Sequence, residues 1–513
     1  MPLAMTDPYI EKILNADVYD VAAQTPLTQA PALSERMGCD VRLKREDLQP
    51  IFSFKCRGAY NKMASLSDEE RARGVVAASA GNHAQGVALA AQKLGVQATI
   101  VMPVTTPSIK VEAVRRRGAH VVLQGDAFDQ ASEFANRLVE ERGATYLHPF
   151  DDPAVIAGQG TVGVEVTEQS PKPADYVFIP CGGGGLLSGM AVFLKHTWPD
   201  VKVIGVEPAD AACALAARRA GERVTLSEVG LFADGCAVAR VGQETHRVIE
   251  QYVDDIITAT TDEMCAAVKD IFDDTRAIAE PAGALAIAGM KTYLSEHNVT
   301  GASVVAVLSG ANTNFDRLRY ISERTDIGER REAILSVTIP EVPGAFKAFC
   351  GTVGKRNITE FNYRGTDEHT ARVFVGLTVA PQSDDVADLV RKLESQGYSA
   401  VDLTDNEMAK LHVRHMIGGK MTLGESEERV FRVEFPERPG ALMKFLDALG
   451  SDFNISMFHY RNHGAAYGRI LVGFTDNDQD RYRLIARLDQ VGFRYWEETE
   501  NPAYQAYLKP LAL

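Results

Sequence analysis

The chain has 513 residues, too many for one hydrophobic core and enough for about three domains. Its 45% hydrophobic and 24% charged residues suit an ordinary globular protein, and no apolar run is long enough to cross a bilayer, which excludes a membrane role. With 54 basic against 69 acidic residues the formal charge is −15 and no basic stripe interrupts it, so nucleic acid is excluded as a partner.

In chain order, the first residues, MPLAMTDPYIEKIL, bring Asp7 and Glu11 early and show no basic segment followed by an apolar one, so a cytoplasmic protein is expected. The seven cysteines form no CxxC pair, which points to reduced thiols rather than a disulfide framework or a zinc site. SFKCRG, Ser53 to Gly58, places Lys55 as an amine able to condense with an aldehyde. VVAAS from Val75 reads as a buried strand and runs into ASAGNHAQG. There Asn82 can donate a hydrogen bond, while Ser79 and the backbone of Ala80, Gly81, Asn82 and His83 can hold a substrate carboxylate. His83 also suggests an acid or base, a role in which it competes with its neighbour Asn82.

ATIVMP from Ala98 and HVVLQG from His120 continue the strand pattern, with RRRG at Arg115 to Gly118 closing the helix between them. YVFIPC from Tyr176 leads into CGGGGLLSG. Four glycines, Gly182 to Gly185, that follow a strand and open a helix at Leu186 present bare N–H groups to a phosphate dianion. The loop lacks both GxGxxG and GxxxxGK[ST], which weakens nicotinamide and nucleoside triphosphate readings. After KVIGVEP from Lys202 comes AEPAG, where Glu280 either lines a site or caps a helix. SVVAVLSG from Ser303 ends at Ser309, opening SGANTN, where a hydroxyl can meet a ring nitrogen. An amine, a donor to a ring, a phosphate cradle and a ring-nitrogen partner are together the contacts of pyridoxal 5′-phosphate. Strands alternating with helical patterns predict a largely parallel α/β sheet with its ligand at the carboxyl ends of the strands.

KREDLQPIFSFKCRGAYNKM from Lys44, with ASAGNHAQGVA and GGGGLLSG, resembles the serine/threonine dehydratases among the fold-type II pyridoxal-phosphate enzymes, whose catalytic part is two open twisted α/β subdomains. The resemblance implies that Lys55 anchors the cofactor and takes the substrate's Cα proton, that Asn82 meets its phenolic oxygen, and that Ser309 meets its pyridine nitrogen. Ala282 departs from the family's AEPSG. Serine racemases and catabolic dehydratases share these motifs, and an amino-acid sensor with a vestigial catalytic half is a rival of another class.

Near residue 325 the charged segment ERTDIGERRE reads as a link. IPEVPGAFKAFCGTVGKRNITEFNYR from Ile339 then recurs as FPERPGALMKFLDALGSDFNISMFHYR from Phe435, and each copy predicts βαββα with a short closing strand, a ferredoxin-like unit. The two copies resemble paired ACT-like regulatory domains, and the whole chain resembles the biosynthetic threonine deaminases. We expect a catalytic domain over 1–325, links at 326–331 and 405–426, ACT-like domains at 332–404 and 427–498, and a tail at 499–513. The resemblance implies deamination of L-threonine, with L-serine secondary, in a homotetramer inhibited by isoleucine and activated by valine. The effector's carboxylate would lie at the turns Pro343-Gly344 and Pro439-Gly440. His412 and His415 of HVRH are read as link residues, and no metal is expected.

Overall fold

The computed structural model describes residues 7–340, 349, 352–353, 358–365, 370–379, 386–415, 427–436, 445, 454–461, 467–476 and 481–509. The chain divides after Thr325 into two compact units. In the first, the strands in chain order are β1 (Leu27–Gln29), β2 (Asp40–Arg45), β3 (Val75–Ala78), β4 (Ala98–Met102), β5 (His120–Leu123), β6 (Thr145–Tyr146), β7 (Tyr176–Pro180), β8 (Lys202–Pro208), β9 (Asp255–Ala259) and β10 (Ser303–Leu308). They form a six-stranded sheet in the order β1-β2-β10-β7-β8-β9 and a four-stranded sheet in the order β5-β4-β3-β6. Only the β1–β2 pair is antiparallel. β3, β4 and β10 are buried along their whole length, because helices cover both faces of each sheet and leave no solvated side for polar residues. This is the fold-type II α/β core the motifs lead one to expect.

β2 does not belong to the β-branched pattern, since DVRLKR carries three cations. Lys44 is nonetheless fully buried, and its Nζ donates to Glu165 Oε2 at 2.6 Å and to the Thr25 carbonyl at 2.5 Å. Glu165 also accepts from Arg57 Nη1 at 2.6 Å, and Arg57 grips both oxygens of Glu46 at 2.8 Å. Two cations thus neutralise two carboxylates inside the core, which burial requires of charged groups.

The helix Lys55–Ala64 stands at a crossing where backbones nearly touch. A Cβ at Gly58 would lie 2.8 Å from the Val155 carbonyl, and one at Gly86 would lie 2.8 Å from the carbonyl of Lys55. Glycine at both positions lets the helices Asn82–Leu94 and Pro153–Gln169 close on the helix that begins with Lys55.

The second unit holds two antiparallel sheets. β11 (Glu332–Pro340), β12 (Ile358–Gly365), β13 (Thr370–Thr378) and β14 (Ser399–Asp402) are ordered β12-β13-β11-β14. β15 (Glu427–Pro436), β16 (Asn454–Arg461), β17 (Tyr467–Asp476) and β18 (Arg494–Glu497) repeat that order as β16-β17-β15-β18. This is the ferredoxin-like arrangement, closed by the short last strand. The helices Val386–Ser395 and Arg481–Val491 pack on one face of their sheets, through Leu389 and Leu393 against Leu335 and Val375, and through Leu484 and Leu488 against Phe431 and Val472. Pro343, Gly344, Pro439 and Gly440 lie outside the described residues.

The other face of each sheet is also buried. Ile334 and Phe374 of the first copy and their repeat equivalents Val430 and Leu471 share one cluster with Met408, Val413, Tyr504 and Tyr507. The expected links and tail therefore differ from solvated connectors. Residues 326–328 end the helix Arg317–Gly328 with Ile327 buried in that same cluster, Glu407–Leu411 is a helix, and residues 504–508 form one wide turn against β13. Arg372 Nη1 donates to the Gln505 carbonyl at 2.6 Å, and Tyr504 donates to Glu428 at 2.8 Å. His412 is buried, and no group that could hold a metal occurs among the described residues.

Candidate active site

Three loops at carboxyl ends of strands meet at one pocket. The segment preceding Lys55 is zipped to the loop after β10: Ser53 bridges Gly310, Phe54 N–H donates to the Ser309 carbonyl, and Ala311 N–H donates to that of Phe52. Phe52 takes φ 56° to make this join, an unusual conformation for a bulky residue. The pocket is lined by Lys55, Asn82, Gly182 to Gly185, Leu186, Glu280 and Ser309.

Lys55 Nζ donates to the Pro149 carbonyl at 3.0 Å and stands 5.2 Å above the Phe54 ring. Loss of hydration lowers its pKa to about 8. Burial acts on the thiols in the opposite direction. Cys236, in the pocket wall, and Cys56, next to Lys55, are both pushed up to about 12, so neither is a thiolate at neutral pH. None of the six described cysteines is in a disulfide.

The glycine loop is shaped by what presses on it. A Cβ at Gly183 would lie 2.2 Å from the Phe150 ring, and one at Gly182 would lie 2.9 Å from Cys236 Cα. Gly184 has φ 92°, which favours glycine for conformational reasons. The Gly183 carbonyl accepts from Thr245 Oγ1 at 2.7 Å, and the loop then opens the 13-residue helix Gly185–Thr197. A narrow turn of bare N–H groups at a helix start is suited to a phosphate.

Ser309 Oγ donates to the Ala282 carbonyl at 3.2 Å from the pocket wall. Asn82, the first residue of its helix, donates from Nδ2 to Glu280 Oε1 at 2.6 Å. Glu280 occupies the N-cap position of the helix Pro281–Glu296, yet its side chain makes no capping bond and turns into the pocket instead. Burial raises its pKa to about 7. Ser79, Ala80 and Gly81 are half-buried, with Ser79 Oγ accepting from Gly81 N–H at 3.3 Å and open space beside Gly81. The side chain of His83, which the sequence also offered as an acid or base, is engaged elsewhere. It is buried with Nε2 2.8 Å from the Leu147 carbonyl, and desolvation depresses its pKa to about 3, so it is neutral and already engaged.

The segment His148 to Asp151 is a part of the site that the motifs did not reveal. It supplies the Pro149 carbonyl to Lys55 and the Phe150 ring to the glycine loop. Asp151 accepts from the backbone N–H groups of Gln243, Glu244 and Thr245, and His148 Nδ1 accepts from those of Phe150 and Asp151. Its HPFDD sequence carries two consecutive aspartates that read as helix caps, and only the second caps the helix that follows, through Ala154 and Val155. An anchoring amine, a neutral partner for a ring nitrogen and a cradle that any Cβ would fill form a donor set that fits pyridoxal phosphate.

Residues 18–310 match the family of pyridoxal-phosphate dependent enzymes, and residues 323–413 and 419–508 each match the C-terminal regulatory domain of threonine dehydratase. The biosynthetic L-threonine dehydratase of Burkholderia multivorans is 51% identical over 503 residues, covering 98% of this chain and 99% of that protein. Among solved structures, the processed form of threonine deaminase isoform 2 from Solanum lycopersicum is 49% identical with a TM-score of 0.61, covering 62% of this chain and 92% of its own. The T.th. threonine deaminase is 37% identical with a TM-score of 0.57, covering 60% of this chain and 99% of its own. A catalytic core of this construction followed by a doubled regulatory domain places the chain in the family of biosynthetic threonine dehydratases, pyridoxal-phosphate enzymes of isoleucine biosynthesis.

Proposed function

We propose that this chain converts L-threonine to 2-oxobutanoate and ammonia, with slower action on L-serine, as the first step of isoleucine biosynthesis. The observation that carries the reading is the convergence of Lys55, Asn82, the Gly182–Gly185 loop and Ser309 on one pocket, in a chain whose residues 323–413 and 419–508 match threonine dehydratase regulatory domains. When bound, pyridoxal phosphate supplies the electrophile that weakens the substrate's Cα–H bond.

Lys55 is the base for that proton, and a pKa near 8 leaves part of the amine neutral at physiological pH. The Pro149 carbonyl holds Nζ in place. The glycine loop and the positive end of its helix bind the phosphate. Asn82 donates to the ring oxygen. Ser309 offers the ring nitrogen its hydroxyl, whose one hydrogen turns from the Ala282 carbonyl to do so, hydrogen-bonding without protonating the ring and so favouring prompt elimination. The N–H groups after Ser79 bind the substrate carboxylate. The β-hydroxyl leaves as water and water returns when the C–N bond is hydrolysed, so the net change is loss of ammonia.

The doubled regulatory domain supports feedback control. Isoleucine inhibits and valine opposes it, with the effector's carboxylate at Pro343-Gly344 or Pro439-Gly440, in a homotetramer. The reduced thiols suit a cytoplasmic setting. Purified protein given L-threonine should release 2-oxobutanoate and ammonia one to one, and pyruvate more slowly from L-serine. Racemised substrate with no oxo acid would overturn the reading in favour of a racemase.

A further inference from the structure

A carboxamide has an accepting end and a donating end, and the bonds around Asn82 decide which way it faces. Asn312 lies in the loop after β10 and does not line the pocket. Its Nδ2 donates to the Ile51 carbonyl at 2.7 Å and to Asn82 Oδ1 at 2.6 Å. A backbone carbonyl can only accept, so Ile51 fixes which end of Asn312 is the nitrogen, and both of its hydrogens are then used. The atom of Asn82 facing Asn312 must therefore be the oxygen. On the far side Asn82 Nδ2 meets Glu280 Oε1 at 2.6 Å. Asn82 is thus held at both ends, and one of its two N–H hydrogens is left for the pocket it lines. Glu280 is held in turn: its N–H donates to the Gly310 carbonyl at 3.1 Å, and a Cβ at Gly310 would lie 2.3 Å from Oε1.

We propose that Asn312 and Glu280 are positioning residues that fix the Asn82 carboxamide with its N–H toward the cofactor's ring oxygen and its carbonyl turned away. The inference rests on the reading of Asn82 as donor to that oxygen. A carboxamide free to turn would offer its carbonyl as readily as its N–H, and a carbonyl repels an anionic oxygen. The relay makes Asn82 a donor only.

The test uses the full chain stripped of cofactor and titrated with pyridoxal phosphate, following fluorescence quenching for affinity and the visible spectrum for the charge on the ring oxygen. Asn312→Ala should weaken binding on the order of tenfold, the scale of one unsatisfied buried group. It should also shift absorbance from the long-wavelength band of the oxygen anion to the short-wavelength band of its protonated form. Asn82→Ala should do the same, and adding Asn312→Ala to it should change nothing more. Glu280→Gln keeps an acceptor oxygen and should retain the long-wavelength band, whereas Glu280→Ala should lose it. Should Asn312→Ala fail to fold, Asn312→Asp has the same shape without the donor and should give the same shift. A shift in Asn82→Ala with none in the Asn312 variants would overturn the relay alone. An unshifted band in Asn82→Ala would overturn the relay together with the reading of Asn82 beneath it.

Discussion

The Lys55 amine donates to the Pro149 carbonyl and stands over the Phe54 ring, and neither partner is a charged group, so removing the amine should cost chemistry far more than stability. We expect Lys55→Ala to stay folded and to lose turnover by several orders of magnitude, because anchor and base vanish together. Borohydride reduction of the native enzyme followed by peptide mapping should place the cofactor on Lys55, and a label on another lysine would refute the assignment. Glu280 makes a prediction of a different kind. Burial raises its carboxyl from 4.5 to about 7, so folding takes up a proton between those values. The Glu280 contribution to stability therefore falls as pH rises through that window and is level above it. In the cofactor-free protein, the melting temperature of wild type relative to Glu280→Gln should fall from pH 4.5 to about 7, since glutamine carries no such proton. A constant difference across the window would show that Glu280 is not held in its neutral form.

The helix that presents Lys55 is fixed by the residues following it. Arg57, fully buried, ties that helix to Glu46 and Glu165, while Gly58 lets the helix Pro153–Gln169 approach to contact. Arg57→Ala would leave Glu165 paired with Lys44 and Glu46 with only the neutral donors Thr25 and Gln49, and we expect a loss of about 3–5 kcal/mol, read as a lower denaturant midpoint at unchanged slope. A midpoint within error of wild type would mean that the cluster relaxes or admits water. This cluster also shows where sequence reading stops. β3, β4, β7 and β10 were legible because a strand buried on both faces is written mostly in apolar residues. β2 was not, since the burial of Lys44 is explained by Glu165, 121 positions away. The glycine loop was legible as a glycine turn opening a helix, but Phe150 was not, because it only fills the space beside Gly183 and Gly185. For Glu280 the sequence left two readings open, as helix capping and pocket lining both call for a carboxylate, and only the direction of the side chain separates them.

At the scale of the molecule, chemistry and control occupy separate compact units. Ending the chain after Arg330 should leave threonine deamination intact and abolish inhibition by isoleucine. In the full chain the coupling should be about 1–3 kcal/mol and reciprocal, each ligand weakening the other in equilibrium binding. Inhibition persisting in the active, soluble shortened enzyme at the same isoleucine concentration would put the effector site in the catalytic unit. The cluster between the two regulatory sheets carries a consequence for biosynthesis. It takes Ile327 from its beginning and Tyr504, Tyr507 and Leu508 from its end. A ribosome adding about 5–20 residues per second needs roughly ten to forty seconds to pass from the last residue of the catalytic unit to Leu508. During that interval the nascent chain can complete its catalytic fold, while Phe374, Val430 and Leu471, as each is made, wait for the residues that cover them. In each new molecule the catalytic unit can thus fold before the apolar cluster of the regulatory domains is complete.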